Sequence, residues 1–159
     1  MQKRLLLSLV ILVTAMVTAV AQPKTGTTVP ELALPTQSGT TLKLSSLRGK
    51  YVVLDFWASW CGPCMSGMPE MKKSYAKYKG KVEFLGVNCD DNVADWKKAV
   101  KAAALPWKHV NYNGNIQMMK TFNVSGLPTK IIVDPKGKVV YSCVGEMPEF
   151  YTKLAAILK

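Results

Sequence analysis

A strand-like apolar run that ends in two closely spaced cysteines constrains this chain more than any other segment. Tyr51-Val52-Val53-Leu54-Asp55-Phe56-Trp57 reads as a buried strand, and Trp60-Cys61-Gly62-Pro63-Cys64 follows almost directly. From Pro63 the apolar positions Met68, Met71, Tyr75 and Tyr78 recur at helical spacing, until Gly80 stops the run. The chain must therefore build a strand–turn–helix unit with both sulfurs at the turn. The first sulfur then sits near a helix N-terminus, where the helix dipole favours thiolate. Thiolate is the nucleophile of thiol–disulfide exchange, and a pair of cysteines that can close and reopen a small ring carries two electrons. As a structural staple the same pair would do little, because so small a loop gains little chain entropy.

The rest of the chain alternates strand and helix patterns. Residues 29–34 and 41–44 read as two short strands around the polar turn Gln37-Ser38-Gly39-Thr40, and 45–49 as a brief helical turn. A strand is expected at 82–87, then a helix at 94–104 with Trp96, Val100 and Ala103 on one face. Residues 107–112 read as a short extra strand and 116–122 as a short helix. Residues 130–133 and 138–143 form a hairpin around Asp134-Pro135-Lys136-Gly137, and Pro148 opens a last helix to Lys159. Pro69, inside the first helix, removes one backbone donor and predicts a kink. The alternation predicts an α/β fold with a mixed sheet flanked by helices.

Lys3 and Arg4, the apolar stretch 5–20 and Ala19-Val20-Ala21 match a secretory signal peptide over residues 1–21, with an uncleaved membrane anchor as the alternative. No cysteine lies near the cleavage site, so lipid attachment there is excluded. Residues 22–159 then form one domain of 138 residues, long enough for a real core. The net charge of +11 is mostly scattered lysine, without the clustered stripe that nucleic-acid binding needs. Export would place the protein in the periplasm, where disulfides persist.

The segment 55–64, Asp55-Phe56-Trp57-Ala58-Ser59-Trp60-Cys61-Gly62-Pro63-Cys64, resembles the active-site segment of the thioredoxin superfamily. Gly126-Leu127-Pro128-Thr129 resembles the family's cis-proline loop. Pro69 matches the proline of the active-site helix, and Val144-Gly145 a small apolar edge of the substrate groove. The resemblance implies a thioredoxin fold over residues 50–159. It implies Cys61 as the exposed nucleophile, Cys64 as the buried resolving thiol, and Asp55 as a buried acid/base that takes the Cys64 proton. It also implies a substrate groove bordered by Trp60, Gly62, Pro63, Leu127, Pro128 and Val144, and no cofactor beyond the Cys61–Cys64 disulfide. The N-terminal strand extension and the βα insertion at 93–112 are similar to the exported TlpA/ResA-like members, many of which serve cytochrome c maturation. Those usually carry a glutamate three residues after the second cysteine; here that position is Gly67.

The implied activity is protein-disulfide oxidoreduction. Its expected form is a monomeric periplasmic reductant of disulfides in exported proteins, fed by a membrane thiol electron donor. A disulfide oxidase or isomerase is the alternative, and cytochrome c maturation another. A thiol peroxidase would need the pattern P-x-x-x-T-x-x-C, which is missing before Cys61. No metal site is expected, and His109 reads as structural or solvent-facing. Met65, Met68 and Met71 read as core and groove lining. In a thioredoxin-like sheet order Cys89 and Cys143 would be three strand spacings apart, roughly 14 Å. That exceeds the ~7 Å limit for bridging, so both are expected free and at least half-buried, with Cys89 nearer the site.

Overall fold

The structure is a computed structural model that describes residues 23–90 and 92–159. The signal-peptide segment at 1–21 lies outside these residues. No helix among the described residues is long and apolar enough to cross a membrane.

The central element is β3 (Tyr51–Trp57), which pairs parallel with β4 (Val82–Asn88) and antiparallel with β6 (Thr129–Val133). β5 (Lys108–Asn111) and β7 (Val139–Val144) complete a five-stranded mixed sheet in the order β5-β4-β3-β6-β7. Being buried on both faces, β3 reads as a continuous apolar run rather than an alternating one. Its alternate residues divide the core. Val52, Leu54 and Phe56 pack with Val29, Leu32 and Leu34 of the N-terminal segment, with Met118 of α3 (Ile116–Thr121) and with Phe122 just after it. Val53 and Trp57 pack under α1 (Gly62–Tyr78), α2 (Val93–Ala102) and α4 (Pro148–Ile157), through Cys64, Met68, Met71, Trp96, Phe150 and Leu154. Asp55 lies between Val53 and Trp57 in this alternation, and therefore on the face covered by the active-site helix.

Residues 29–32 are not a strand, contrary to the sequence expectation. Only β1 (Ala33–Pro35) pairs, antiparallel with β2 (Thr41–Lys43), before a 3-10 turn at Leu44–Leu47. Pro30 offers no backbone donor, and the segment instead buries Val29 and Leu32 while Val29 N–H bonds to Gly137 O at 2.9 Å. α1 runs through Pro69 as one element. α2 stops at Ala102, short of the expected 104, because Ala104 adopts a left-handed φ of 47°.

Asn92 caps α2: its side-chain oxygen accepts the N–H groups of Ala94 at 2.8 Å and Asp95 at 3.3 Å. Asn92→Ala removes both bonds and should cost about 1 kcal/mol. The expected reading is a lower urea midpoint with an unchanged slope; an unchanged midpoint would show that α2 does not need its cap.

Candidate active site

β3 ends at Trp57, and the connection to α1 is held from the neighbouring strand end. The Asp90 carboxylate accepts the Ser59 N–H at 2.9 Å and the Ser59 hydroxyl at 3.0 Å, and also the Asn88 amide at 2.7 Å. Cys61 is the N-cap residue of α1, with Pro63 in the first turn. Its sulfur accepts the Cys64 N–H at 3.2 Å, so the orphan donors of the helix start point at the sulfur that would carry negative charge. The two cysteines are joined as a disulfide, with Cα atoms 5.2 Å apart.

Cys61 is only 5% exposed and Cys64 2%, so the expectation of an openly exposed Cys61 is corrected. The cause is its capping role, which folds the sulfur back onto the helix start. Access is instead through a cavity of about 590 Å³ that Cys61 lines and Cys64 does not. Trp60, Gly62, Pro63 and Leu127 line it as well, and Trp60 is 72% exposed. Pro128 and Val144, expected in the groove, do not line this cavity: Pro128 is buried and Val144 half-buried. The Leu127–Pro128 peptide is cis, Pro128 O accepts the Gly145 N–H at 2.7 Å, and Val144 packs against Gly126. The far wall is formed by Cys89, which was expected nearer the site than Cys143, and by Tyr112, Ile116, Met119 and Val124, which were not read from the sequence. Apart from Cys89, which follows β4, it comes from α3 and its flanks, whose proximity depends on the topology.

Cys89 and Cys143 are both free and buried. Cys89 stands beside Met119, its Sγ 3.4 Å from the thioether sulfur. Burial, reinforced by Asp90 and Asp55, pushes its thiol up to about 12, so it stays protonated beside the groove. Burial likewise pushes Cys143 up to about 11. Met68 and Met71 are core residues, and Met65 packs at their edge.

A row of residues crosses the sheet beneath α1. His109, Gly86, Asp55, Lys130 and Cys143 are register partners on β5, β4, β3, β6 and β7. His109 is buried and neutral, pushed to about 4 by desolvation, with its ring edge-on to Trp57. A Cβ at Gly86 would run into the imidazole. Asp55 and Lys130 are 3% and 2% exposed. Lys130 Nζ lies 3.5 Å from Asp55 Oδ1 and 2.5 Å from Glu146 Oε2. Burial raises the Asp55 carboxyl above its ordinary range, Lys130 opposes this, and Glu146 adds to it. Burial works against the Lys130 ammonium, but the two carboxylates outweigh it and hold its pKa above the ordinary lysine value.

Gly67 leaves the space that Glu146 fills, since a Cβ there would collide with the Glu146 carboxylate. The carboxylate missing from α1 at position 67 is thus supplied by the β7–α4 connection. Lys130 and Glu146 were both missed from the sequence. The available signal was Lys130's parity with buried Ile132 on an otherwise apolar strand.

With this geometry the chain matches known proteins. The sequence model of the AhpC/TSA family matches residues 25–142. The chain belongs to this family. Among similar proteins, the thiol-disulfide oxidoreductase ResA of Bacillus cereus is 35% identical over 122 residues, 76% of this chain and 70% of that protein. ResA of Bacillus subtilis is 33% identical, over 78% of this chain and 69% of its own length. The thioredoxin domain of a thiol-disulfide oxidoreductase from Bacteroides vulgatus superposes with a TM-score of 0.79 at 27% identity, covering 86% of this chain and 99% of that one. A putative thiol:disulfide interchange protein DsbE from Chlorobium tepidum gives 0.76 at 34% identity, covering 84% and 94%. This AhpC/TSA protein has the thioredoxin fold and is a protein-disulfide oxidoreductase.

Proposed function

We propose that the protein reduces disulfides of exported proteins in the periplasm, with Cys61 as attacking thiolate and Cys64 as resolving thiol. The observation that carries this reading is the asymmetry of the two sulfurs: Cys61 lines the open cavity and caps the helix, whereas Cys64 is enclosed. The Cys61 thiolate attacks one sulfur of a client disulfide, and the electron pair of the broken S–S bond leaves on the other client sulfur. Cys64 then attacks the Cys61 sulfur, closing the Cys61–Cys64 disulfide and expelling the second client sulfur. The Cys64 proton passes to Asp55, which lies on the same sheet face, and the expelled thiolates take protons from solvent. Trp60, Gly62, Pro63 and Leu127 meet the client directly, while Pro128 and Val144 support that wall.

The reducing direction is supported by the Gly62-Pro63 spacer, which resembles thioredoxin's. Export rests on residues 1–21. A reductant in an oxidising compartment needs a membrane thiol donor. Titration of the purified protein against glutathione buffers is expected to give a potential close to thioredoxin's, about −270 mV; a value above about −180 mV would overturn the reductase reading in favour of an oxidase or isomerase.

Apocytochromes c are a narrower client class, favoured by one observation. The absence of a carboxylate at Gly67 argued against that role, and Glu146 brings a carboxylate to the same place.

A further inference from the structure

The buried charges beneath the active-site helix are shared unequally. The Lys130 ammonium is in hydrogen-bond contact with Glu146 at 2.5 Å and only leans on Asp55 at 3.5 Å. Asp55 Oδ1 makes no hydrogen bond of its own. Glu146 is fixed from both sides: the Tyr151 hydroxyl donates to Oε1 at 2.6 Å, and the bare Cα of Gly67 admits the carboxylate against α1. A cavity of about 380 Å³ lined by Ser66, Gly67, Glu70, Glu146, Pro148 and Tyr151 opens onto it. Within the trio, Glu146 is therefore the group that meets solvent, its side chain 22% exposed against 5% for Asp55 and 3% for Lys130.

We propose that Glu146 is a positioning residue for Asp55: it holds the Lys130 ammonium away from the Asp55 carboxylate, and so leaves Asp55 able to accept the Cys64 proton. This rests on the Cys64-to-Asp55 proton transfer described above. An ammonium in full contact with Asp55 would keep the carboxylate ionised and make it a weak base. With no ammonium nearby, burial would leave it protonated and unable to accept. An ammonium anchored on a second carboxylate gives the intermediate setting that general-base work at neutral pH requires. The balance of the redox step is unchanged: Cys64 loses its proton to Asp55, and Glu146 neither gains nor loses one.

Other groups facing this region leave the trio in control near neutral pH. Burial keeps Cys89 beyond β4, Cys143 on β7 and Tyr151 on α4 protonated, and keeps His109 on β5 neutral. Asp90 is engaged by Ser59 and Asn88. Glu70 on α1 and Glu149 on α4 are exposed at the rim, and Cys64 on α1 is the proton donor.

The test follows single-turnover reduction of glutathione disulfide by the dithiol form across pH, together with carbon-NMR titration of the Asp55 carboxyl. Glu146→Gln keeps the shape and the Tyr151 contact but releases Lys130 toward Asp55. It should move both the Asp55 midpoint and the acid limb of the rate profile to lower pH. Lys130→Gln should move both to higher pH, opposite shifts that simple loosening of the fold would not produce. Gly67→Ala displaces Glu146 without removing a charge and should shift the limb in the same direction as Glu146→Gln, which keeps the test available if that variant does not fold. An Asp55 midpoint unmoved in folded Glu146→Gln overturns the proposal. An acid limb that survives in Asp55→Asn overturns the underlying proton transfer instead; a limb lost in Asp55→Asn but unmoved in Glu146→Gln overturns the Glu146 role alone.

Discussion

Cys64→Ser is expected to turn the protein into a trap that holds its clients as mixed disulfides through Cys61. Cys61→Ser should capture none and lose exchange activity by on the order of a thousandfold or more, because no thiolate remains at the groove to attack. The difference follows from placement. Cys61 is reachable from the 590 Å³ cavity, and its sulfur accepts the helix N–H that would stabilise negative charge. Cys64 does not line the cavity, and its attack falls on the Cys61 sulfur itself once a client is bound there. Nor should either remaining thiol resolve the trapped species, since burial keeps Cys89 and Cys143 protonated. Non-reducing electrophoresis of each variant after incubation with periplasmic extract, followed by mass spectrometry of the adducts, reads the result. Adducts formed by Cys61→Ser but not by Cys64→Ser would reverse the two roles.

The second large effect concerns stability. Lys130→Met should destabilise the fold by about 3–5 kcal/mol at neutral pH, because it leaves two carboxylates facing each other with no cation between them. The penalty should shrink in acid. Asp55 already has a folded pKa above its ordinary value, and removing the ammonium raises it further. A carboxyl raised on folding binds its proton more tightly in the folded state, so the variant gains stability as pH falls from neutrality toward the ordinary Asp range, about 3.9. In the unaltered protein Lys130 contributes a slope of the same sign, in a window far above neutrality. Its raised pKa gives stability that is complete below the ordinary lysine value, about 10.4, and is lost as pH rises through the folded value. Urea unfolding of both proteins at neutral and mildly acidic pH decides the matter. A variant equally destabilised at both would mean that the charges are compensated elsewhere.

Much of the site was legible because its residues stand out locally. Asp55 interrupts an apolar run, the cysteines are spaced for a small ring, and Gly126-Leu127-Pro128-Thr129 is a contiguous signature. The strand order, once assumed, placed Cys89 and Cys143 three strands apart, and they are free. The partners of Asp55 were harder to see. Lys130 is the second residue of a short strand, where a lysine usually points to water, and only pairing with β3 makes its position interior. Glu146 lies in a connection with no periodicity, and nothing near it in sequence says that Gly67 is empty for its sake. The burial of Cys61 was misjudged because a nucleophile suggests exposure, whereas a capping sulfur must turn back toward its helix. The segment at 29–32 was misjudged because β-branched and apolar residues suggest a strand even where a proline, Pro30, withholds its ladder donor.

The N-terminal segment has a further consequence. Around Thr28 it bridges antiparallel to Lys138 at one border of the sheet, and at Thr36 it bridges to Val110 at the other. The chain thereby spends its own backbone on both outer strands, the places where a foreign strand would otherwise add. The cover is partial: it lies at residues 137–139 on one border and at Val110 on the other. On the proposed function, a client gripped by few main-chain bonds would be chosen by the disulfide it presents more than by its sequence.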